Sequence, residues 1–325
     1  MKPIRSILAV AWAAFAAAGL PLAAAGPDLV VGALKGPSGI GMVELFEAPP
    51  ALPGGAAPRL IAVPSADIMA AKLISGEYDA AVLPVNMAAK LYSAGIPIRL
   101  AAIVGEGMVS FLTSDPALAS LRDLKGATVN VAGQGATPDY LFKRLLKDAG
   151  LDPEKDLRLD YALPYPEAAA ALAGGKIRYA VLPEPFSTMA MEAAAKAGTS
   201  LRKPFDLGAL WTASTGQASY PMTAFVVSGR LAADKASAKI LLAAYEASIA
   251  SVKADPKAAG LLVAKHDLGL PAPIAEKAIP RSALVFVPAT RARPAVEALL
   301  SVFLALAPAS VGGKLPDAAF YASFE

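Results

Sequence analysis

The feature that most constrains this chain is an internal repeat. The tetrapeptide Ala81-Val82-Leu83-Pro84 recurs 99 residues downstream as Ala180-Val181-Leu182-Pro183. At the same offset Ala70, Ala71, Leu73 and Gly76 fall on Ala169, Ala170, Leu172 and Gly175, and Val30, Ala33 and Gly36 on Val129, Ala132 and Gly135. In an alanine-rich chain the alanine matches carry little weight. The joint spacing of the leucines, the glycines and the tetrapeptide predicts two related units.

Each unit reads as strand, glycine-rich loop, helix, strand. Residues 29–34 and 128–132 are short apolar runs that enter Gly36-Pro37-Ser38-Gly39 and Gly133-Gln134-Gly135. In the second unit Thr137 is expected to cap a helix with Pro138 in its first position and Asp139 in its first turn. Ser38 has the matching place in the first unit. Ser65 and Asn86 are expected caps of the two following helices, and Glu184-Pro185 does the equivalent after the strand at 179–182. Strands alternating with helical crossovers predict parallel pairing, with ligands beyond the carboxyl ends of the strands.

Between the units, residues 98–104 and 108–113 form a nearly continuous strand broken at Gly105-Glu106-Gly107. After the second unit, Tyr220-Pro221 leads into another apolar run at 223–228. These two segments are expected to join two lobes as a hinge pair. The predicted division is a leader at 1–25, the first part of lobe 1 at 26–107, lobe 2 at 108–228, and the completion of lobe 1 with C-terminal helices at 229–325. Helical spacing of apolar residues at 236–253, 256–265 and 291–306 supports the last of these.

The leader rests on its own pattern. Lys2 and Arg5 precede an apolar run at 7–20, and Ala23-Ala24-Ala25 supplies small residues for cleavage after Ala25. The run is too short for a membrane span of about 20 residues. No cysteine stands at the cleavage site, which argues against a lipid anchor, so a soluble periplasmic product is expected. Removing the leader lowers a formal charge of +3 to +1, and no Lys/Arg cluster remains to suggest a nucleic-acid surface.

Composition narrows the chemistry further. The 325 residues include no Cys and a single His, so disulfides, thiolate metal sites, Cys nucleophiles and multi-His metal centres are excluded. Neither glycine-rich loop has a P-loop ending or the dinucleotide-binding spacing. Ser38 lacks the Gly-x-Ser-x-Gly frame of a hydrolase nucleophile, because position 40 is Ile. His266 reads as a residue at a helix C-terminus. Glu106 and Glu184 are the carboxylates nearest the expected cleft, and Glu184 has a helix cap as its alternative role. Met42, Met69, Met87 and Met189 read as packing residues. Trp211 is the best aromatic for stacking on a ligand, with core packing as the alternative. Free backbone N–H groups at the loop–helix junctions offer places for anions or carbonyl oxygens. No metal and no cofactor is predicted.

Longer stretches carry a resemblance. LRDLKGATVNVAGQGATPDYLFKRLLKDAGLDPEKDLRL at 121–159 and LPEPF at 182–186 resemble the second lobe of solute-binding proteins of nitrate/taurine/sulfonate-type (NitT/TauT) ABC importers. ALKGPSGIGMVEL at 33–45 and GEYDAAVLPVNMAAKLYSAG at 76–95 resemble the first lobe. The resemblance implies an α/β type II periplasmic binding protein, with two lobes, a ligand cleft and hinge segments. It also implies a monomer that captures a small molecule and delivers it to an inner-membrane permease and ATPase. Carried over by position, the ligand loops hold Lys35, Gly36, Pro37, Ser38, Gly39, Ser65, Pro84, Asn86, Gln134, Gly135, Ala136, Thr137 and Glu184, with Trp211 beside them. An enzyme on the same fold, of the menaquinone- or pyrimidine-pathway type found among relatives, and a ligand-presenting sensor subunit stay open as alternatives. Among the loop residues Lys35 is the only full cation and no Arg is present. Ser38, Asn86, Gln134 and Thr137 are neutral, which favours an organic ligand with N–H donors over a small inorganic anion.

Overall fold

The computed structural model describes residues 29–324; the expected leader lies outside them. The chain runs β1 (Val30–Leu34), α1 (Pro37–Gly41), α2 (Val43–Glu47), β2 (Arg59–Val63), α3 (Ala66–Ile74), β3 (Ala80–Pro84), α4 (Val85–Ser93) and β4 (Ile98–Glu106). It then continues as β5 (Val109–Thr113), β6 (Thr128–Val131), α5 (Thr137–Asp148), β7 (Arg158–Asp160), α6 (Tyr165–Ala173), β8 (Tyr179–Pro183), α7 (Phe186–Lys196) and α8 (Leu207–Thr215). The return comprises β9 (Pro221–Ser228), α9 (Gly229–Ala233), α10 (Lys235–Ala254), α11 (Pro256–Lys265), α12 (Ala272–Ala278), β10 (Leu284–Pro288) and α13 (Ala289–Leu306).

Two sheets define the two lobes. The first has the order β10-β4-β9-β3-β1-β2 and the second β5-β8-β6-β7. In each, a repeat unit supplies three parallel strands, β2-β1-β3 and β7-β6-β8. An antiparallel strand then lies against β3 or β8: β9 in the first sheet, β5 in the second. The carboxyl ends of the parallel strands therefore carry the loops singled out above. Val31, Val82, Leu83, Phe225 and Val226 are fully buried between the helical layers of the first lobe, as continuous apolar strands of a two-sided sheet should be.

β9 sits between β3 and β4 in the first sheet. The segment expected to close the second lobe at residue 228 therefore belongs to the first lobe from Pro221 onward. Its register with both neighbours explains why: Phe225 faces Val82 on one side and Ala102 on the other. The two lobe crossings fall at Gly107 and Met108, between β4 and β5, and at residues 216–220, between α8 and β9. They are hydrogen-bonded to each other. The Gly107 N–H donates to Tyr220 O at 3.1 Å, and the Val109 N–H donates to the Tyr220 hydroxyl at 3.2 Å.

The repeat holds at an offset of 99 for α3 and α6 and for β3 and β8, whose bounds correspond residue for residue. It slips at the first strand. Val30 pairs with Arg59, whereas Thr128 pairs with Arg158; Gly32 pairs with Ala81, whereas Asn130 pairs with Ala180. Thr128 is thus the partner of Val30, and the matches of Val30, Ala33 and Gly36 to Val129, Ala132 and Gly135 are not structural equivalences. Only Lys35 and Gly36 separate β1 from α1, while residues 132–136 separate β6 from α5. The longer loop takes up the difference.

Local signals set most helix ends. Ser65 Oγ accepts from the Ile68 N–H at 3.4 Å, and Asp206, Ser228, Asp234 and Asp255 cap α8, α9, α10 and α11 in the same way. Such caps contribute about 1 kcal/mol each. Three expected caps are displaced. Thr137 is the first helical residue, behind Ala136, and its helix starts without a side-chain cap. Asp139 compensates by accepting from the Gly135 N–H at 2.9 Å. Asn86 is the second residue of α4, behind Pro84, which leaves its amide free for other use. Ser38 lies inside α1 behind Gly36.

Candidate functional site

The two lobes touch along a seam formed by the carboxyl ends of the parallel strands and their following helices. On one side Asn86, from the first lobe, donates Nδ2–H to Gly135 O of the second at 3.3 Å. On the other, Arg281 of the first lobe donates from Nη1 to Thr188 Oγ1 of the second at 3.2 Å. Outside these, Tyr140 packs on Phe303 with ring centroids 4.6 Å apart, and Lys277 pairs with Glu192.

Two aromatic residues of the second lobe, Tyr165 and Phe186, follow the loop that holds Gly135. Gly133 has φ +81°, and a Cβ there would collide with the Tyr165 hydroxyl, so only glycine lets the ring lie over the loop. Tyr165 in turn stacks on Phe186, with centroids 5.1 Å apart and planes 14° from parallel. Burial pushes the Tyr165 hydroxyl up to about 12, which keeps it a neutral hydrogen-bonding group. Phe186 follows Glu184 and Pro185 at the end of β8.

Glu184 stands two residues before Phe186, at the end of β8. It is 2% exposed; its N–H donates to Met108 O at 2.9 Å, and its Oε2 accepts from the Thr188 N–H at 3.1 Å. Glu184 therefore does serve the start of α7. Its second oxygen, Oε1, is buried with no partner among the described residues, as are Asn86 Oδ1 and Ser187 Oγ. A buried acceptor left unpaired costs about 1–3 kcal/mol, more when charged. All three lie at the starts of the helices that follow β3 and β8; Ser310 Oγ and the Tyr321 hydroxyl, outside these helix starts, are buried without a partner as well.

The other expected residues divide into those at the seam and those elsewhere. Ser38 and Thr137 are buried at the starts of their helices, Ser38 Oγ donating to Leu34 O at 3.4 Å. Gly39 lies so close to β1 that a Cβ would meet Leu34 O at 2.6 Å, and Pro37 and Gly36 make the turn that brings it there. Pro84 and Ala136 precede α4 and α5 as their caps. Lys35 is turned outward, its Nζ 2.5 Å from Asp267 Oδ2. Ser65 is occupied as a cap. Gln134 is exposed and faces a groove of about 540 Å³ with Asp139, Lys143 and Leu306, apart from Ser38. Trp211 is fully buried, donates Nε1–H to Ser219 O at 3.2 Å and packs edge-on against Tyr220, so it is a core residue and not a ligand platform.

Three loop N–H groups have acceptors within the protein: Gly36 donates to Leu268 O, Gly135 to Asp139 Oδ2 and Ala136 to Gly133 O. Tyr165, Phe186, Ser187, Thr188 and Arg281 escaped the sequence reading. The repeat held a hint, since Tyr165 takes the place of the small Ala66 of the first unit. His266 behaves as read: it ends α11, its Nε2 2.8 Å from Glu47 Oε2. Among the described residues no cluster of His, Asp and Glu has metal-holding geometry, and no helix is long and apolar enough to cross a membrane.

Two α/β lobes, a double crossing and a buried polar seam at the strand ends define a solute-binding fold of the ABC-importer class. The chain belongs to the NMT1-like family, which it matches over residues 54–263. It is similar to an ABC transporter protein from Parabacteroides distasonis, with 30% identity, a TM-score of 0.78, and coverage of 91% of this chain and 99% of that one. The periplasmic aliphatic sulphonate-binding protein SsuA from Escherichia coli is 20% identical over 89% of this chain and 92% of its own, with a TM-score of 0.69. The periplasmic nitrate-binding protein NrtA from Synechocystis shares the fold at 15% identity and a TM-score of 0.53, over 76% of this chain and 68% of its own. No curated protein matches the chain.

Proposed function

We propose that this protein is the periplasmic substrate-binding component of an ABC importer. It holds a small organic molecule at the interlobe seam and presents it, with the lobes closed, to an inner-membrane permease and its ATPase. The observation that carries this reading is the pair of α/β lobes meeting at their strand ends, where Asn86, Glu184 and Ser187 each keep one buried atom unpaired. The reading assigns no catalysis: Glu184 Oε2 already accepts from the Thr188 N–H, and His266 is held by Glu47. The leader at 1–25 supports export, and the periplasmic names of SsuA and NrtA agree with it.

Mass spectrometry of the protein purified from periplasm under native conditions tests this. A single retained small molecule, released on denaturation and taken up poorly by cells lacking the protein, is the expected result. Fractionation that leaves the chain in the cytoplasm, or uptake of the retained molecule that is unchanged without the protein, overturns it.

A further inference from the structure

The crossing between β4 and β5 is ringed by hydrogen bonds from both lobes. On the first-lobe side the Glu106 N–H, at the end of β4, donates to Ala283 O at 3.3 Å. On the second-lobe side the Glu184 N–H donates to Met108 O, and Glu184 Oε2 accepts from the Thr188 N–H. Arg281 Nη1 closes the ring by donating to Thr188 Oγ1 at 3.2 Å. Segments 281–283, 106–108 and 184–188 are thereby linked, and the Arg281–Thr188 bond is the one link that passes from lobe to lobe without following the chain. Bending at Gly107 and Met108 can keep the other bonds and must stretch this one.

The Arg281 side of the ring is held in place. Ser282 is fully buried, its Oγ donating to Ala278 O at 2.8 Å, and Ala283 has φ +41°, which an alanine keeps only where its surroundings impose it. Four residues before Arg281 and four after Thr188, Lys277 pairs with Glu192. α12 and its turn therefore meet α7 at two points one helical turn apart, with a cation from the first lobe at each. The Glu192 carboxyl is held below the ordinary carboxylate range, first by the bond from Lys277 and then by the charges of Lys277, Arg281 and Lys196. Arg281 is otherwise exposed and lines a groove of about 420 Å³ with Lys203 and Asp206, where dissolved ions reach it.

We propose that α12 and its turn form a charge-dependent latch on α7, which holds the lobes closed without solute and is released by bending at the crossing. The latch rests on the substrate-binding reading above only for the existence of an opening motion. Exposed pairs of this kind shift an equilibrium by up to about fivefold, which bound solute can override.

Spin labels at Glu154→Cys in the second lobe and Ala305→Cys in the first read the closed-to-open ratio. Both positions are exposed and lie beside a groove that both lobes line, on the flank of Tyr140 and Phe303. Solute-stripped protein at low salt is expected to hold a closed population. That population should fall about two- to fivefold in Arg281→Met and in Thr188→Val, which keeps the backbone N–H at 188. The double variant should fall no further than either alone, because both remove one bond. Lys277→Glu should lower the ratio about three- to tenfold, and adding Glu192→Lys should bring it back to within about twofold of wild type. Salt at about 0.5 M should move wild type at least as far as Arg281→Met does. An unchanged ratio in Lys277→Glu or in Arg281→Met, or a charge swap that does not recover, overturns the latch. Wild-type protein that is open when stripped and closed when purified with its solute also overturns it, and leaves the substrate-binding reading intact. A ratio that follows charge and salt but is the same in stripped and unstripped protein keeps the latch and removes solute-driven closure.

Discussion

Gly133 and Glu184 show how closely stability and site are tied at single residues. Gly133 has a left-handed φ and lies beneath the Tyr165 hydroxyl. Gly133→Ala is expected to destabilise the protein by about 1–3 kcal/mol, from backbone strain and the clash together. Adding Tyr165→Phe removes the hydroxyl and should restore part of that loss, leaving the φ strain; thermal melting of the two variants measures the split. Glu184 has two separable duties. Glu184→Ala loses the bond from the Thr188 N–H and should cost about 1 kcal/mol in the apo protein, whereas Glu184→Gln should melt close to wild type. Equal melting of both variants would show that the cap contributes nothing. Lys35 makes the contrast. As the sole loop cation it drew attention in the sequence, but its partner Asp267 has a side chain 84% exposed, and exposed pairs contribute little. Side-chain direction decided its role, and no sequence pattern reports that.

At the scale of elements, the repeat made the strand–helix alternation legible, because α3, α6, β3 and β8 keep one spacing across both units. Hydrogen-bond register was not legible. Val-Val-Gly-Ala and Val-Asn-Val-Ala match at more than one offset, and only the pairing of Arg59 with Val30 and of Arg158 with Thr128 decides between them. The extra length of the loop after β6 lets Asn86 reach Gly135 across the seam, so the slip has a structural use. Loop polarity was partly legible: the shortage of cations could be read, but the acceptors that Gly36, Gly135 and Ala136 find within the protein could not. The crossing at the end of β4 adds a pH test. Burial pushes the Glu106 carboxyl up, so the folded chain holds that proton more tightly than the unfolded chain does. The resulting stabilisation is present in acid and is lost as pH rises from the unfolded pKa through the raised folded one. Glu106→Gln should therefore raise the melting temperature at neutral pH, with the gain vanishing below the ordinary carboxylate range. A gain of the same size at both pH values would show that ionisation is not its cause.

The described residues form two sheets joined by two short crossing segments that are bonded to each other, with contacts on both flanks of the seam. The Tyr220 carbonyl and hydroxyl accept from the Gly107 and Val109 N–H groups and so tie the crossings together; the contacts made by Asn86, Arg281, Lys277 and Tyr140 all lie across the seam. Opening would break those contacts and leave both sheets intact, which is the economy of hinge motion; periplasmic binding proteins are a standard instance of it. Because the chain has no cysteine, paired labels can report this without background. Spin labels at Lys277→Cys and Glu192→Cys straddle the seam, and labels at Lys265→Cys and Glu47→Cys lie within the first lobe, where Lys265 Nζ is 2.7 Å from Glu47 Oε1. In protein stripped of solute by denaturation and refolding, the cross-seam distance should lengthen or broaden relative to protein purified with its solute retained. The distance within the first lobe should stay fixed in both. The labelled sites remove the Lys277–Glu192 pair in one case and the contacts of Glu47 with Lys265 and His266 in the other, so loss of side-chain pairing is common to both. Equal cross-seam distances with and without solute would mean that the lobes form a rigid unit and that the seam fills without opening.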